Sequence, residues 1–284
     1  MRQSNSWRHG LAAACAVLIL SLIWTFSAGA ATQTIISGGV TVTYTYHGTP
    51  PLSSNSRLTI SEGGTVIYDQ PVTSKWCGKH CSPNIIARDR KVIHIVRLTQ
   101  AGPANVVLDL YSGGAHCCFV EQVFSLTANP TTVRKAEYNF GNPGVRLVRL
   151  NSNDTYDFIS ANNDFAYAFT DYAASGMPIE IFSFSHEAFH NVTVSFPSLI
   201  RKDAAQWMSA FQSQAGTHYQ DSVGLVAAWA ADEDMLGHSA GVARFLAAQA
   251  RAGHLNSALN PITPSGHEYV LALQKLLRAQ GYLN

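Results

Sequence analysis

The spacing of apolar residues divides the chain into two parts with different periods. From Gln33 to Pro197 the pattern is that of strands. Val40-Thr41-Val42-Thr43-Tyr44-Thr45-Tyr46 is rich in β-branched and aromatic residues, and Leu58-Thr59-Ile60 and Val66-Ile67-Tyr68 flank Glu62-Gly63-Gly64, a hairpin signal. Two strand-length apolar runs, Val106 to Leu110 and Phe119 to Leu126, are separated by Gly113 and Gly114. Beyond Pro197 the period becomes helical, as in Ala204, Trp207, Met208 and Phe211, then Val242, Phe245 and Leu246, then Tyr269, Leu273, Leu276 and Leu277. The clearest helix runs from Ser265 to Gly281, with Ser265 as N-cap and Glu268 completing a capping box. These periods predict an α+β fold: a mainly antiparallel β domain over 31–198, followed by an α-helical C-terminal region over 199–284.

Within the β part, Arg97-Leu98 overlays Arg149-Leu150 at an offset of 52 residues. Asn105-Val106-Val107-Leu108 then matches Asp157-Phe158-Ile159-Ser160, and Val123 to Leu126 matches Ile181 to Phe184. The predicted arrangement is two repeat-like β units. The 165 residues from Gln33 to Pro197 are too few for a closed propeller of four or more blades of this size.

The first 30 residues read as a signal peptide. Arg2 and Arg8 precede an apolar run from Leu11 to Phe26, and Ala28-Gly29-Ala30 places cleavage after Ala30. Removal of this segment shifts the formal charge from +1 to −1 and leaves no expected stable membrane span. Charged residues make up 13% of the chain with no run of one sign, which argues against nucleic acid as a partner. The predicted location is secreted or periplasmic, where cysteines oxidise. Four remain after processing: Cys77, Cys81, Cys117 and Cys118. Adjacent Cα atoms lie about 3.8 Å apart, below the usual disulfide range of about 4.4–6.8 Å, so cross-pairing of the two segments is expected. Which cysteine of one segment meets which of the other stays open. Each bridge would close a loop of roughly 40 residues, and the first would contribute on the order of 4 kcal/mol.

Tyr111-Ser112-Gly113-Gly114-Ala115-His116-Cys117-Cys118 and Asn163-Asp164-Phe165-Ala166-Tyr167-Ala168-Phe169 carry a resemblance to exported bacterial proteins with degenerate FG-GAP or VCBS-like repeats. In such repeats the turn binds calcium through alternating acids. The resemblance places that site at Asn151, Asn153 and Asp157, although Arg149 stands in the leading position and carboxylates are few.

Two further patterns suggest chemistry. His186-Glu187-Ala188-Phe189-His190 satisfies the H-E-x-x-H pattern, in which a helix presents two histidines to zinc and the glutamate activates a metal-bound water. Strand alternation runs up to the motif from both sides, through Ile179, Ile181 and Phe184 and from Val192 onward, and predicts a hairpin loop instead. Phe165, Tyr167 and Phe169 alternate with alanines, which would set three rings on one strand face, either core or a candidate ligand surface. The expected function is therefore that of an exported, non-catalytic binding or structural protein of the cell envelope, with an unknown envelope or extracellular ligand and no cofactor. The alternative is a zinc-dependent peptidase or hydrolase using His186, Glu187 and His190.

Overall fold

A computed structural model describes residues 29–84, 91–114, 117–127, 132–217, 219, 221–257 and 263–283. The predicted signal peptide before Gly29, and Ala115 and His116 of the glycine–cysteine motif, lie outside the described residues.

Three antiparallel sheets stack in chain order. The first is a meander of β1 (Ala30–Ser37), β2 (Val40–His47), β3 (Ser54–Glu62) and β4 (Thr65–Pro71). Its tight turns fall at Gly38-Gly39 and Gly63-Gly64, where all four residues have positive φ as a two-residue hairpin turn requires. The second sheet contains β5 (Ser82–Pro83), β6 (Ile93–Val96), β7 (Asn105–Gly114), β8 (Cys117–Leu126) and β9 (Val133–Gly141). The two short strands β5 and β6 share one edge of β7. The third sheet is formed by β10 (Arg146–Val148), β11 (Asp157–Ala161), β12 (Ile179–Ser185) and β13 (Ala188–Asn191).

The middle sheet is buried on both faces, which explains the near-continuous apolar runs of β7 and β8. Even-numbered Val106, Leu108, Leu110, Val120 and Phe124 pack on Val42, Tyr44, Leu58 and Ile60 of the first sheet. Odd-numbered Val107 and Val123, with Phe140, pack on Phe158, Phe182 and Phe184 of the third. Full burial of one such side chain contributes roughly 1.5–3 kcal/mol.

The 52-residue offset reappears as strand register. Val96 pairs with Asn105 across β6 and β7, and Val148 pairs with Asp157 across β10 and β11. Both pairs therefore close loops of equal length. The loops also touch, since the Tyr156 amide donates to the Arg97 carbonyl at 2.9 Å.

The helices are α1 (Pro197–Ser213), α2 (Val223–Met235), α3 (Ser239–Arg251) and α4 (Gly266–Ala279). Ser265 occupies the N-cap of α4, but its side chain makes no capping bond, so the predicted capping box does not form. Small residues along α2 let other elements approach closely. A Cβ at Gly176 would stand 2.7 Å from the Gly224 carbonyl oxygen, so the segment between β11 and β12 lies directly on this helix. Among the described residues no helix is long and apolar enough to cross a membrane.

Two expectations are corrected. Cys77 pairs with Cys81 within its own segment, rather than across to Cys117 or Cys118. The segments do converge, because β5 directly follows Cys81 and pairs with Leu110 and Tyr111, and Cys77, Cys81 and Cys118 share one core. A spacing of four residues already brings the Cα atoms of Cys77 and Cys81 to 5.2 Å, within the range for a bridge. The aromatic stripe is not a strand: Asn163–Phe165 is a short 3-10 turn and Tyr167 has positive φ. Phe165 packs edge-on to Tyr282 and Phe169 to Tyr269 in the helical core, while Tyr167 is exposed beside Tyr172.

A buried carboxyl pair joins the two parts. Asp203 of α1 accepts from the Ile179 amide (3.1 Å) and from Trp207 Nε1 (2.9 Å). Asp232 of α2 faces it with no exposed surface. Burial, followed by repulsion from Asp203, pushes the Asp232 carboxyl up to about 10.

Candidate functional site

On β6, Ile93 and Ile95 turn toward the first sheet, so His94 and Val96 face the third. By the same alternation Asp109 on β7, and Phe119 and Glu121 on β8, join them. The third sheet does not cover this half of the face completely. A cavity of about 830 Å³ remains, with Arg146, Leu147 and Val148 of β10 and Ile159 to Ala161 of β11 as its other wall. Two contacts hold that wall in place: Ser160 Oγ donates to the Gly144 carbonyl at 2.5 Å, and Gly144 sits beside the Phe119 ring.

Three ionisable groups converge inside. Asp109 and Glu121 are directly opposed in the β7–β8 register. His94 pairs with Val107 and is therefore diagonal to Asp109, and Asp109 Oδ2 accepts from its Nε2 at 3.2 Å. The Asp109 backbone is fixed from both edge strands. Its amide donates to the Val92 carbonyl at 2.9 Å, and its carbonyl accepts from the Asn84 amide at 3.0 Å.

Glu121 is only 2% exposed. Its carboxyl lies within hydrogen-bonding reach of Asp109, and Asp109 Oδ1 and Glu121 Oε2 meet no donor from the protein. Two carboxyl oxygens in contact need a proton between them. Burial, and then the charge and hydrogen bond of Asp109, hold the Glu121 carboxyl well above its ordinary range.

None of the candidate site residues named from the sequence lines this cavity. The H-E-x-x-H residues form the β12–β13 hairpin, with Ser185 paired to Ala188 and with His186 and Glu187, both at positive φ, as the two-residue turn. Glu187 contacts Arg134 at 3.0 Å, and His190 Nε2 lies 3.1 Å from the Ser185 carbonyl. The helical geometry that a zinc peptidase draws from this motif is not present. The loop proposed for calcium is closed on itself. Asn153 Oδ1 accepts from the Thr155 amide and hydroxyl, Asp157 accepts weakly from Asn151, and Arg149 pairs with Asp154 while lying over Tyr156. Among the described residues no group of three His, Cys, Asp or Glu side chains is arranged to hold a metal ion.

The sequence held one signal of the cavity that its reading passed over. Asp109 and Glu121 are the charged interruptions of the two strongest apolar runs.

The chain is 30% identical over 151 residues to a probable thylakoid lumen protein of Synechocystis sp. (strain PCC 6803), a match covering 51% of this chain and 44% of that protein. It is 23% identical over 151 residues to an uncharacterized protein of Sinorhizobium fredii, covering 52% of this chain and 23% of that protein. The chain thus spans less than half the length of each of these curated relatives. No family model matches the sequence, and no solved structure matches it.

Proposed function

We propose that this chain is an exported, non-catalytic binding protein of the periplasm or cell exterior, and that it takes a small ligand into the cavity between its second and third sheets. Residues 1–30 are its signal peptide, residues 31–198 its ligand-binding β domain, and residues 199–284 a helical support. The observation that carries this reading is a preformed cavity of about 830 Å³ whose lining includes the directly opposed acids Asp109 and Glu121. Its volume falls within the roughly 300–1,000 Å³ typical of small-molecule sites. Phe119, Tyr156 and Phe158 supply apolar surface beside a few convergent polar groups. Binding rather than catalysis fits the opposite wall, where the Ser160 hydroxyl is committed to a backbone carbonyl. Export is supported by the N-terminal pattern and by the lumenal description of the Synechocystis relative.

Thermal-shift screening of the purified chain against a small-molecule set tests the site. Val148→Trp, which fills the cavity from β10, abolishes the shifts while the circular dichroism spectrum is retained. Shifts that survive this substitution refute the assignment. N-terminal sequencing of the exported protein tests the rest: the reading requires a start at Ala31, and a start at Met1 overturns it.

A further inference from the structure

We infer that the ligand taken into this cavity is a small organic cation, a primary amine on an apolar body, with its ammonium group set between Asp109 and Glu121 and its body against Phe119. The inference rests on the cavity being the binding site and adds the chemistry of what enters it.

The argument begins with the hydrogen-bond inventory. Asp109 Oδ1 and Glu121 Oε2 are buried and have no protein donor other than the proton that the two acids share. A ligand that satisfies them must bring donors and need not bring acceptors. An ammonium group has three donors and no acceptor, whereas a hydroxyl brings one donor with lone pairs that would then lack partners. Charge gives the same preference. The pair holds a proton because two carboxylates in contact cannot both be ionised in a buried site. A bound ammonium can replace that proton: the Glu121 carboxylic acid loses its proton to solvent, and the carboxylate that remains pairs with the cation. No bond of the ligand is made or broken.

The groups facing Glu121 come from four strands. They are His94 on β6, Asp109 on β7, Tyr138 opposite it on β9, and Arg146, exposed at the rim on β10. His94 already bonds Asp109 Oδ2, which leaves Oδ1 as the oxygen turned toward Glu121 and the ligand. Phe119 is the ring next to Glu121 but one on the same strand face, and the Gly144 turn holds its far side.

The experiment is calorimetry on the full exported chain with phenethylamine, its neutral isostere 2-phenylethanol and the anion phenylacetate. Phenethylamine binds at least about tenfold more tightly than the alcohol, as a charge-assisted bond to a buried acid requires. Phenylacetate does not bind. Phenethylamine affinity rises from pH 5 to pH 8, because an alkylammonium stays charged up to about pH 10 while the pair gives up its proton more readily as pH rises. Titration in two buffers of different ionisation enthalpy shows release of close to one proton. Glu121→Gln, which keeps the size of the side chain, lowers the affinity at least tenfold and abolishes the proton release, while its melting curve confirms that it is folded. Equal binding of amine and alcohol, binding without proton release, an unchanged Glu121→Gln, or displacement of the amine by millimolar zinc or calcium would each overturn the inference. If only the alcohol or the anion binds and Val148→Trp abolishes that binding, the cavity stands as the site and the cation is wrong. If none of the three probes binds, the cation assignment fails as well.

Discussion

Among the described residues two carboxyl pairs meet in largely buried settings, and the difference between them separates scaffold from proposed site. Asp203 and Asp232 meet where α1 and α2 cover the first residue of β12. There the Ile179 amide and the Trp207 indole donate to Asp203, and the pair ties the helices to the third sheet. Asp109 and Glu121 meet on a sheet face that its neighbour leaves partly uncovered, and oxygens on both are without protein donors. The chemistry of two acids and one proton is shared. Both Asp232 oxygens also meet no donor, so the pairs differ in their surroundings: in one place the helices close over the pair and donors reach Asp203, and in the other the third sheet stops short and leaves a cavity.

Substitutions sharpen this contrast, beginning with the largest effect. Asp203→Ala strands the Ile179 amide and the Trp207 indole, and denaturant unfolding is expected to show a loss of about 3 kcal/mol. The same truncation at the other pair, Glu121→Ala, leaves no protein donor behind, so its loss is expected to stay near 1 kcal/mol. Equal losses would mean that both pairs are structural.

Asp232→Asn tests the proton. The folded carboxyl titrates at about 10 and the unfolded one near 3.8, so the folded state binds a proton that the unfolded chain has released. Its stabilising effect is complete below pH 3.8 and is lost as pH rises toward 10, with a slope of at most about 1.4 kcal/mol per pH unit. Urea midpoints measured between pH 6 and pH 9 should therefore fall in the wild type and flatten in Asp232→Asn. Glu121→Gln acts in the same direction for the same reason, since its carboxyl is also raised, and stability above pH 7 should increase slightly at the expense of ligand binding.

The smallest effect comes from a site remote from both pairs. Glu187→Gly relieves a positive φ in the β12–β13 turn and removes an exposed contact to Arg134. The thermal midpoint is expected to change little or to rise slightly, by the equivalent of about 0.5 kcal/mol. A large loss of stability, together with a loss of bound zinc, would return the H-E-x-x-H motif to consideration.

Periodicity made the architecture legible. Period two marked the strands as far as β12, the glycine pairs marked a turn, and the helical spacing of Tyr269, Leu273 and Leu277 marked α4. The 52-residue offset, carried by only a few matching residues, corresponds to equal strand registers in two sheets. What periodicity cannot give is which strands become neighbours. Asp109 and Glu121 are twelve residues apart, and His94 lies fifteen before Asp109; only the order β6–β7–β8 brings them together. The cysteine pairing was missed for a related reason, because an irregular segment satisfied locally what had been assigned to a long loop closure. The core reading of the aromatic stripe holds for Phe165 and Phe169, but its strand does not, because an alternation of rings and alanines also suits a looped segment that buries two rings and exposes Tyr167.

The two-sided burial of the middle sheet means that neighbouring residues along β7 and β8 answer to different constraints. Even positions are fixed by the fit to the first sheet, while Asp109, Phe119 and Glu121 at odd positions border the cavity. Selection, or a protein engineer, can therefore alter the chemistry of the cavity wall by changing every second letter of two short words and leaving the intervening letters as the spelling of the fold.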